Sequence, residues 1–572
     1  MNIKQLIDDA VSEALARCGA EGAPAVIRQA QRAEFGHYQA NGIMGAAKKL
    51  GVNPRELATD VVAALDLPQA STIEVAGPGF INIHLAPQFL VEQLTTVRAS
   101  RRLDIATRPK QTIVIDYSAP NLMKEMHIGH LRPNCIGDTL ARLFDFLDQN
   151  VIRANHVGDW GAQLGSLLAY LDALNDSDIS TELKDLEKFY QAASALFKSD
   201  PEFAARAREN VVKLQRGDKH CLALWERFIN ESIDHCQTVY DILDITLTRD
   251  DIAAESSYND ALPVVVSELT EKGLITESDG ALCVFMDEFK GKDGNPLPAI
   301  VRKSDGGFGY MATDLAAVRH RTHHLGAHRV LYVVGAPQSL HFRQVFAVAR
   351  AAGYILPAQE FSHLPFGLIL QGDGKPFKTR AGANVKLIDV IEEAISRAFD
   401  LVTEKNPSLD EHTRRHIARV VGVGALKYAE LSKNRITDYI FDWDTMLSFE
   451  GNTAPYLQYA YTRIRSIFKR AGTDPDGLGG DISVNEPAEI ALAIKLLQFT
   501  EALDGVLEDY QPNVLCNYLY ELSGIFMTFY EACPILKAAD ATRQSRLLLA
   551  DITARTLNLG LGLLGIHTVD EM

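Results

Sequence analysis

Thr112-Ile113-Val114-Ile115-Asp116-Tyr117 alternates and is rich in β-branched residues, which predicts a buried strand. Downstream, Ile136, Leu140, Leu143, Phe144 and Leu147 recur at helical spacing. The intervening residues 118–132 therefore form a tight strand-to-helix turn, a geometry that aims free backbone N–H groups at an anion. A second strand is predicted at Val151-Ile152-Arg153. The polar, glycine-rich loop 155–161 follows it, at what would be the carboxyl edge of a parallel sheet. From about 171 to 245 the pattern is charged and helical, an insertion between two halves of that sheet. Sheet character returns over 295–345, in Ile300-Val301 and 329–335.

The two ends differ from this centre. Residues 2–17 and 40–50 carry helical patterns, and 72–85 reads as two strands joined by Gly77-Pro78-Gly79. Residues 99–110 are basic, a candidate linker. Beyond about 385 nearly everything is helical by pattern, with examples at 387–402, 414–433, 456–470 and 490–507. The organisation expected is a small α+β domain over 1–105 and an α/β domain with a parallel sheet over 110–385. Connecting helices over 386–450 and an all-α domain over 451–572 complete it.

Composition narrows the class. Hydrophobic residues make up 47% and charged residues 23% of the 572, the balance of an ordinary globular protein. No apolar run approaches bilayer length. The amphipathic, acidic N-terminus resembles neither a secretory signal nor a transit peptide. A cytoplasmic protein with no membrane role is expected. The seven cysteines are scattered, without a Cys-x-x-Cys, which argues against a zinc ribbon or a disulfide framework. A net charge of −17 argues against nucleic-acid binding unless one face is locally basic.

His127 and His130 stand three apart at the predicted helix start, so both rings can face one ligand. Gly129 between them would let a flat base lie against the backbone. Taken alone, a solvent-facing histidine pair explains them equally well. Residues 371–382 form a glycine-rich, cationic loop that includes Lys375, Lys378 and Arg380. Such a loop can wrap a triphosphate, though it lacks the pattern of a P-loop. Tyr310 and Asp314 lie four apart and share a face if helical. Asp251, Glu255 and Tyr258 add further candidates. Each acid alone reads more readily as surface charge.

Two other patterns are set aside. Gly560-Leu561-Gly562-Leu563-Leu564-Gly565 fits a dinucleotide template but follows no strand and leaves no chain for its acidic partner. His320, His323, His324 and His328 have helical spacing, but no carboxylate or cysteine completes a metal set there.

The string around His127-Ile128-Gly129-His130, with Pro120-Asn121 before it and Leu131-Arg132 after it, resembles the nucleotide-binding signature of arginyl-tRNA synthetases, which belong to the class I aminoacyl-tRNA synthetases. Residues 371–382 resemble a degenerate second synthetase signature, with Thr379 in place of the usual second lysine. The resemblance spans nearly the whole chain. Gly77-Pro78-Gly79-Phe80-Ile81-Asn82 looks like the family's N-terminal domain, which contacts the outer corner of the tRNA. The C-terminal helices resemble its anticodon-binding bundle.

The fold so implied is a Rossmann-type catalytic domain with a helical insertion, between an α+β N-terminal domain and an all-α C-terminal bundle. The activity implied is arginine–tRNA ligation with ATP as substrate and Mg²⁺ beside it, by a monomer. By the same resemblance, His127, His130, Lys124, Lys378 and Arg380 serve the chemistry. Gly129, His341 and Gln344 join the histidines and Lys378 around ATP. Asn121, Glu255, Tyr310, Asp314 and Gln338 hold arginine. Tyr456, Tyr459 and Arg463, an aromatic and basic stripe, are candidates for tRNA contact, since rings and arginines stack on splayed bases. An amphipathic core helix explains that stripe too. The competing readings are another class I synthetase, a small-molecule adenylyltransferase and an inactive tRNA-binding relative. The helical C-terminal domain speaks against the adenylyltransferase, and the intact histidine motif against the inactive relative.

Overall fold

The computed structural model describes residues 1–30, 32–161, 163–174, 185–377 and 385–572. They fall into two units. A central unit comprises Thr107–Leu447 and Leu563–Ile566, and a terminal unit comprises Met1–Ala106, Ser448–Gly562 and His567–Met572.

The central unit is built on four parallel strands. Glu360–His363, Arg329–Tyr332, Thr112–Asp116 and Asn150–Ala154 lie side by side in that order. Thr112–Asp116 is interior, and Ile113, Val114 and Ile115 are all buried, as a strand covered on both faces requires. The crossover from Thr112–Asp116 to Asn150–Ala154 runs through the helix Leu131–Phe146. The crossover from Arg329–Tyr332 to Glu360–His363 runs through Ser339–Ala351. Core residues Val114, Val330 and Tyr332 pack with Leu315, Val318, Val345 and Phe346.

The sheet character expected near Ile300 belongs to a different sheet. Pro296–Arg302 pairs antiparallel with Ala281–Lys290, which pairs with Ile275–Ser278. Ala299 and Val301 are buried while Ile300 is exposed, the alternation of a sheet open to water on one face. The insertion is helical as expected: Leu164–Asp172 leads into it, and Leu186–Ser199, Pro201–Gln215 and Lys219–Leu243 follow. Asp185, Asp200 and Asp218 cap the last three by accepting from backbone N–H groups of the first turn.

In the terminal unit, Ile27–Gln29, Tyr38–Ala40, Phe80–Leu85 and Ala70–Ala76 form an antiparallel sheet in that order. Gly79 closes the turn between the last two at φ +137°, and a Cβ there would lie 2.9 Å from the Pro54 carbonyl oxygen. Only glycine suits both constraints. The N-terminal residues fold against the C-terminal helices. The buried Tyr38 hydroxyl donates to Glu501, which also accepts from Gln29 Nε2 at 3.0 Å and the Lys4 amide at 3.1 Å. Residues 490–507, one helix by pattern, are two. Pro487–Leu497 stops at Gln498, and Phe499–Asp509 starts there. Six of the seven cysteines are buried. Among the described residues no helix is long and apolar enough to cross a membrane.

One ion pair anchors the helix Leu131–Phe146. Arg132 Nε lies 2.5 Å from Glu430 Oε1, and both side chains are buried. Burial pushes the Glu430 carboxyl up and Arg132 opposes it. Arg132→Met should destabilise the central unit by about 3–5 kcal/mol, because it strands a buried carboxylate. Adding Glu430→Gln should return most of that loss. All three tryptophans, Trp160, Trp225 and Trp443, lie in this unit, so urea unfolding read by their fluorescence reports on it alone.

Candidate active site

The turn after Thr112–Asp116 is strained and tied from two sides. Ser118 and Ala119 both have left-handed backbone, at φ +69° and +45°, unfavourable for residues with a Cβ. The Ala119 amide donates to Asn155 Oδ1 at 3.1 Å, and Ser118 Oγ lies 2.7 Å from the Tyr240 hydroxyl. Asn155 Nδ2 donates to that hydroxyl at 3.0 Å. The chain then runs beside the loop after Asn150–Ala154. The Leu122 amide donates to the Gly158 carbonyl and the Gly158 amide to the Pro120 carbonyl, each at 3.0 Å. Asn121 between them is exposed, and its Oδ1 accepts from the Met123 amide at 3.0 Å.

His127 and His130 cap each other. The Gly129 amide donates to His127 Nδ1 at 3.0 Å, and the His127 amide to His130 Nδ1 at 3.1 Å. The ring centroids are 4.2 Å apart. Burial lowers both imidazole pKa values, helped by Lys124 for His127 and by His127 for His130, which falls to about 3. Both rings are therefore neutral near pH 7. His127 Nδ1 accepts from Gly129, so its proton sits on Nε2 and is available to a ligand. A Cβ on Gly129 would lie 2.7 Å from His127 Cε1, so the glycine also makes room for the cap.

The backbone of this turn is joined to the chain following the cationic loop. His127 bridges Lys386, the Ile128 amide donates to the Val385 carbonyl, and the Leu387 amide donates to the Met126 carbonyl. The loop begins as a tight hairpin. The Gly374 amide donates to the Gln371 carbonyl and the Gln371 amide to the Lys375 carbonyl, both at 2.8 Å. The exposed Lys375 pairs with Asp373 at 3.2 Å. Lys378 and Arg380 lie outside the described residues.

Carboxylates gather at the same edge of the sheet. Tyr310 opens the helix Tyr310–His323 and is 74% exposed, and Asp314 follows one turn later. Asp314 Oδ2 lies 2.5 Å from His341 Nε2 on the helix Ser339–Ala351. His341, expected at the nucleotide, thus touches an acid expected at the amino acid. Glu255 is anchored by its amide to the Val157 carbonyl at 3.1 Å. Its carboxyl is pushed up to about 7 by burial, then by Asp159, then by Asp314. Asp159 is buried and accepts from the Ser256 amide at 2.9 Å and Ser256 Oγ at 2.5 Å. It belongs to the loop 155–161, noted in the sequence for its position but not for this acid. Its burial behind Ser256 has no sequence signal. Gln338 closes a short turn after Arg329–Tyr332 and is exposed, and Gln344 lies three residues beyond His341 on the helix Ser339–Ala351.

Tyr456, Tyr459 and Arg463 belong to the terminal unit, on Ala454–Ala471. The Arg463 guanidinium stands 5.8 Å from the ring centres of both Tyr459 and Tyr530, and Tyr456 pairs with Tyr520 at 5.6 Å. The stripe is a surface feature, with Tyr459, Arg463 and Tyr520 exposed and Tyr456 and Tyr530 partly buried.

A parallel sheet carrying a histidine turn, a cationic loop and a carboxylate cluster on its carboxyl edge is the plan of a class I aminoacyl-tRNA synthetase. Residues 93–443 match the family described as "tRNA synthetases class I (R), catalytic domain". Residues 1–85 match an arginyl tRNA synthetase N-terminal domain and 457–572 a DALR anticodon binding domain. An arginine–tRNA ligase of Hahella chejuensis is 54% identical over the full length of both chains. The arginyl-tRNA synthetase of Plasmodium falciparum superposes with a TM-score of 0.87 at 29% identity, covering 100% of this chain and 99% of that one. That of Thermus thermophilus does so with 0.84 at 25%, covering all of both. With all three regions and the full length matched, the chain belongs to the arginyl-tRNA synthetase family.

Proposed function

We infer that this protein is an arginine–tRNA ligase, which activates L-arginine with ATP and transfers it to the 3′-terminal ribose of tRNA(Arg). The observation that carries the reading is one sheet edge holding both a neutral, donor-bearing histidine turn and a cluster of three carboxylates. The turn suits a phosphate and the cluster suits a guanidinium, whose five donors call for paired carboxylates. In the first step the arginine carboxylate attacks the α-phosphorus, and the bond to the bridging oxygen breaks to release pyrophosphate. His127 Nε2 and His130 donate to oxygens that gain charge, while Lys124, Lys378 and Arg380 supply positive charge. In the second step a ribose hydroxyl attacks the activated carbonyl and AMP leaves. Positioning is the main requirement of both steps.

Asp314 and Glu255 would take the guanidinium, with Tyr310 beside it and Asn121 and Gln338 at the amino-acid backbone. The effect of Asp159 and Asp314 on Glu255, whose carboxyl they help push up, supports this, because a bound cation offsets it. Gly129, His341 and Gln344 would border the nucleotide. Mg²⁺ would enter with the triphosphate and neutralise part of its charge. Among the described residues no group of three His, Cys, Asp or Glu side chains is placed to hold a metal. Tyr456, Tyr459 and Arg463 would meet tRNA in the terminal unit. We read the protein as a cytoplasmic monomer.

Charging of bulk tRNA with each of the twenty amino acids tests the assignment, with arginine alone expected to be incorporated efficiently. Asp314→Asn should raise the KM for arginine strongly and leave that for ATP nearly unchanged, since losing one charged partner costs about 2–5 kcal/mol. Equal damage to both constants would make Asp314 structural. Lys124→Ala should lower kcat by about 10²-fold, the scale of one lost preorganised donor, with little change in the KM for arginine. Near-normal kcat would show that Lys124 carries no charge-stabilising role.

A further inference from the structure

The insertion carries no motif, yet the start of its helix Leu186–Ser199 reaches both lysines adjoining the histidine turn. The Lys124 ammonium sits 4.5 Å from the centre of the Tyr190 ring. Lys386 Nζ lies 3.1 Å from Asp185 Oδ1, the cap of that helix, and 3.0 Å from Glu125 Oε2. Lys386 is also the residue whose backbone bridges His127. One helix end therefore touches the side chain three residues before His127 and the side chain paired with its backbone.

We propose that the helix Leu186–Ser199 positions the activation site, with Tyr190 holding Lys124 and Asp185 holding Lys386. The proposal rests on the reading of Lys124 and the histidine turn as the triphosphate site. Lys124 is exposed and lines a cavity of about 310 Å³, together with Glu125, Leu186, His235 and Ile388. A four-carbon ammonium beside such a space has many rotamers and loses entropy when fixed. The face of an aromatic ring attracts a cation without neutralising it, so Tyr190 can hold Lys124 and leave its charge for phosphate. Lys124 stands near enough to His127 to add to the lowering of that imidazole pKa by burial, an effect that Glu187 of the same helix opposes. Lys386 plays the other part. Its charge is spent on Glu125 and Asp185, so it fixes backbone rather than substrate. Burial opposes ionisation of Asp185, but hydrogen bonds from Lys188 and Lys386 hold its carboxyl down at about 2. The clamp is therefore intact throughout the neutral range.

The test is a double-mutant cycle on charging kinetics with the full-length protein. Tyr190→Leu should lower kcat about tenfold, the scale of one partly desolvated cation–π contact, with the KM for arginine within about twofold. Tyr190→Phe, which keeps the ring, should match the unmodified enzyme. In a Lys124→Ala background Tyr190→Leu should cost nothing further. Likewise Asp185→Asn and Lys386→Met should each lower kcat, and together should cost no more than one alone. Thermal melting of each variant checks folding. Equal losses in Tyr190→Leu and Tyr190→Phe, or a Tyr190→Leu loss undiminished without Lys124, would overturn the proposal while leaving the ligase reading intact. Failure of the unmodified protein to charge tRNA, or a fully active Lys124→Ala, would overturn the reading beneath it.

Discussion

Arg321 and Asp116 face each other at 2.6 Å with 1% and 4% of their side chains exposed, and both halves of the site depend on that pair. Asp116 ends the strand that delivers the histidine turn. Arg321 lies on Tyr310–His323, the helix that carries Tyr310 and Asp314. The guanidinium also stands 4.8 Å from the centre of the Tyr332 ring, at the end of the neighbouring strand. A buried charge pair of this kind adds little net stability, but removing one partner is costly. It therefore specifies an arrangement. The helix that carries Asp314 is locked in register against the strand that presents the histidines.

The edge so fixed holds two opposed electrostatic environments. Around His127 and His130 burial favours neutral rings, so the two histidines offer hydrogen-bond donors and the positive charge beside them comes from Lys124. Around Glu255 burial works with two like charges, Asp159 and Asp314, to disfavour ionisation. The proposed function puts an anionic substrate at the first and a cationic one at the second. The overall charge of −17 says nothing of this division, because it arises from a few side chains positioned by backbone.

Local pattern was enough for much of the architecture. The strand before the histidine turn, the helix after it, the Gly77-Pro78-Gly79 hairpin and the helical insertion all follow from periodicity and turn chemistry. What the pattern left open depends on distant partners. Ile300-Val301 has strand character in any sheet, and only its antiparallel partner at Ala281–Lys290 decides which. The break at Gln498 falls inside a continuous helical pattern. The folding of residues 1–106 against the C-terminal helices rests on contacts such as Tyr38 with Glu501, more than 400 residues apart. At the site, the histidines, Tyr310 and Asp314 were marked by spacing and family likeness. Asp159 and Tyr190 were not, since their significance lies in touching Ser256 and Lys124.

We propose that the cluster around Glu255 reads the guanidinium of arginine, a role open to test by proton linkage. In the free protein Glu255 is pushed up to about 7 by burial, then by Asp159 and Asp314, and Asp314 is paired with His341. A bound guanidinium favours the carboxylate, so below pH 7 arginine must displace a proton from Glu255. Titration calorimetry of arginine, run in buffers of different ionisation heat, counts protons released. Release should approach about one per arginine near pH 6, vanish above about pH 8.5, and be absent in Glu255→Gln. Arginine binding at pH 6 without proton release, or with the same release in Glu255→Gln, would contradict the account.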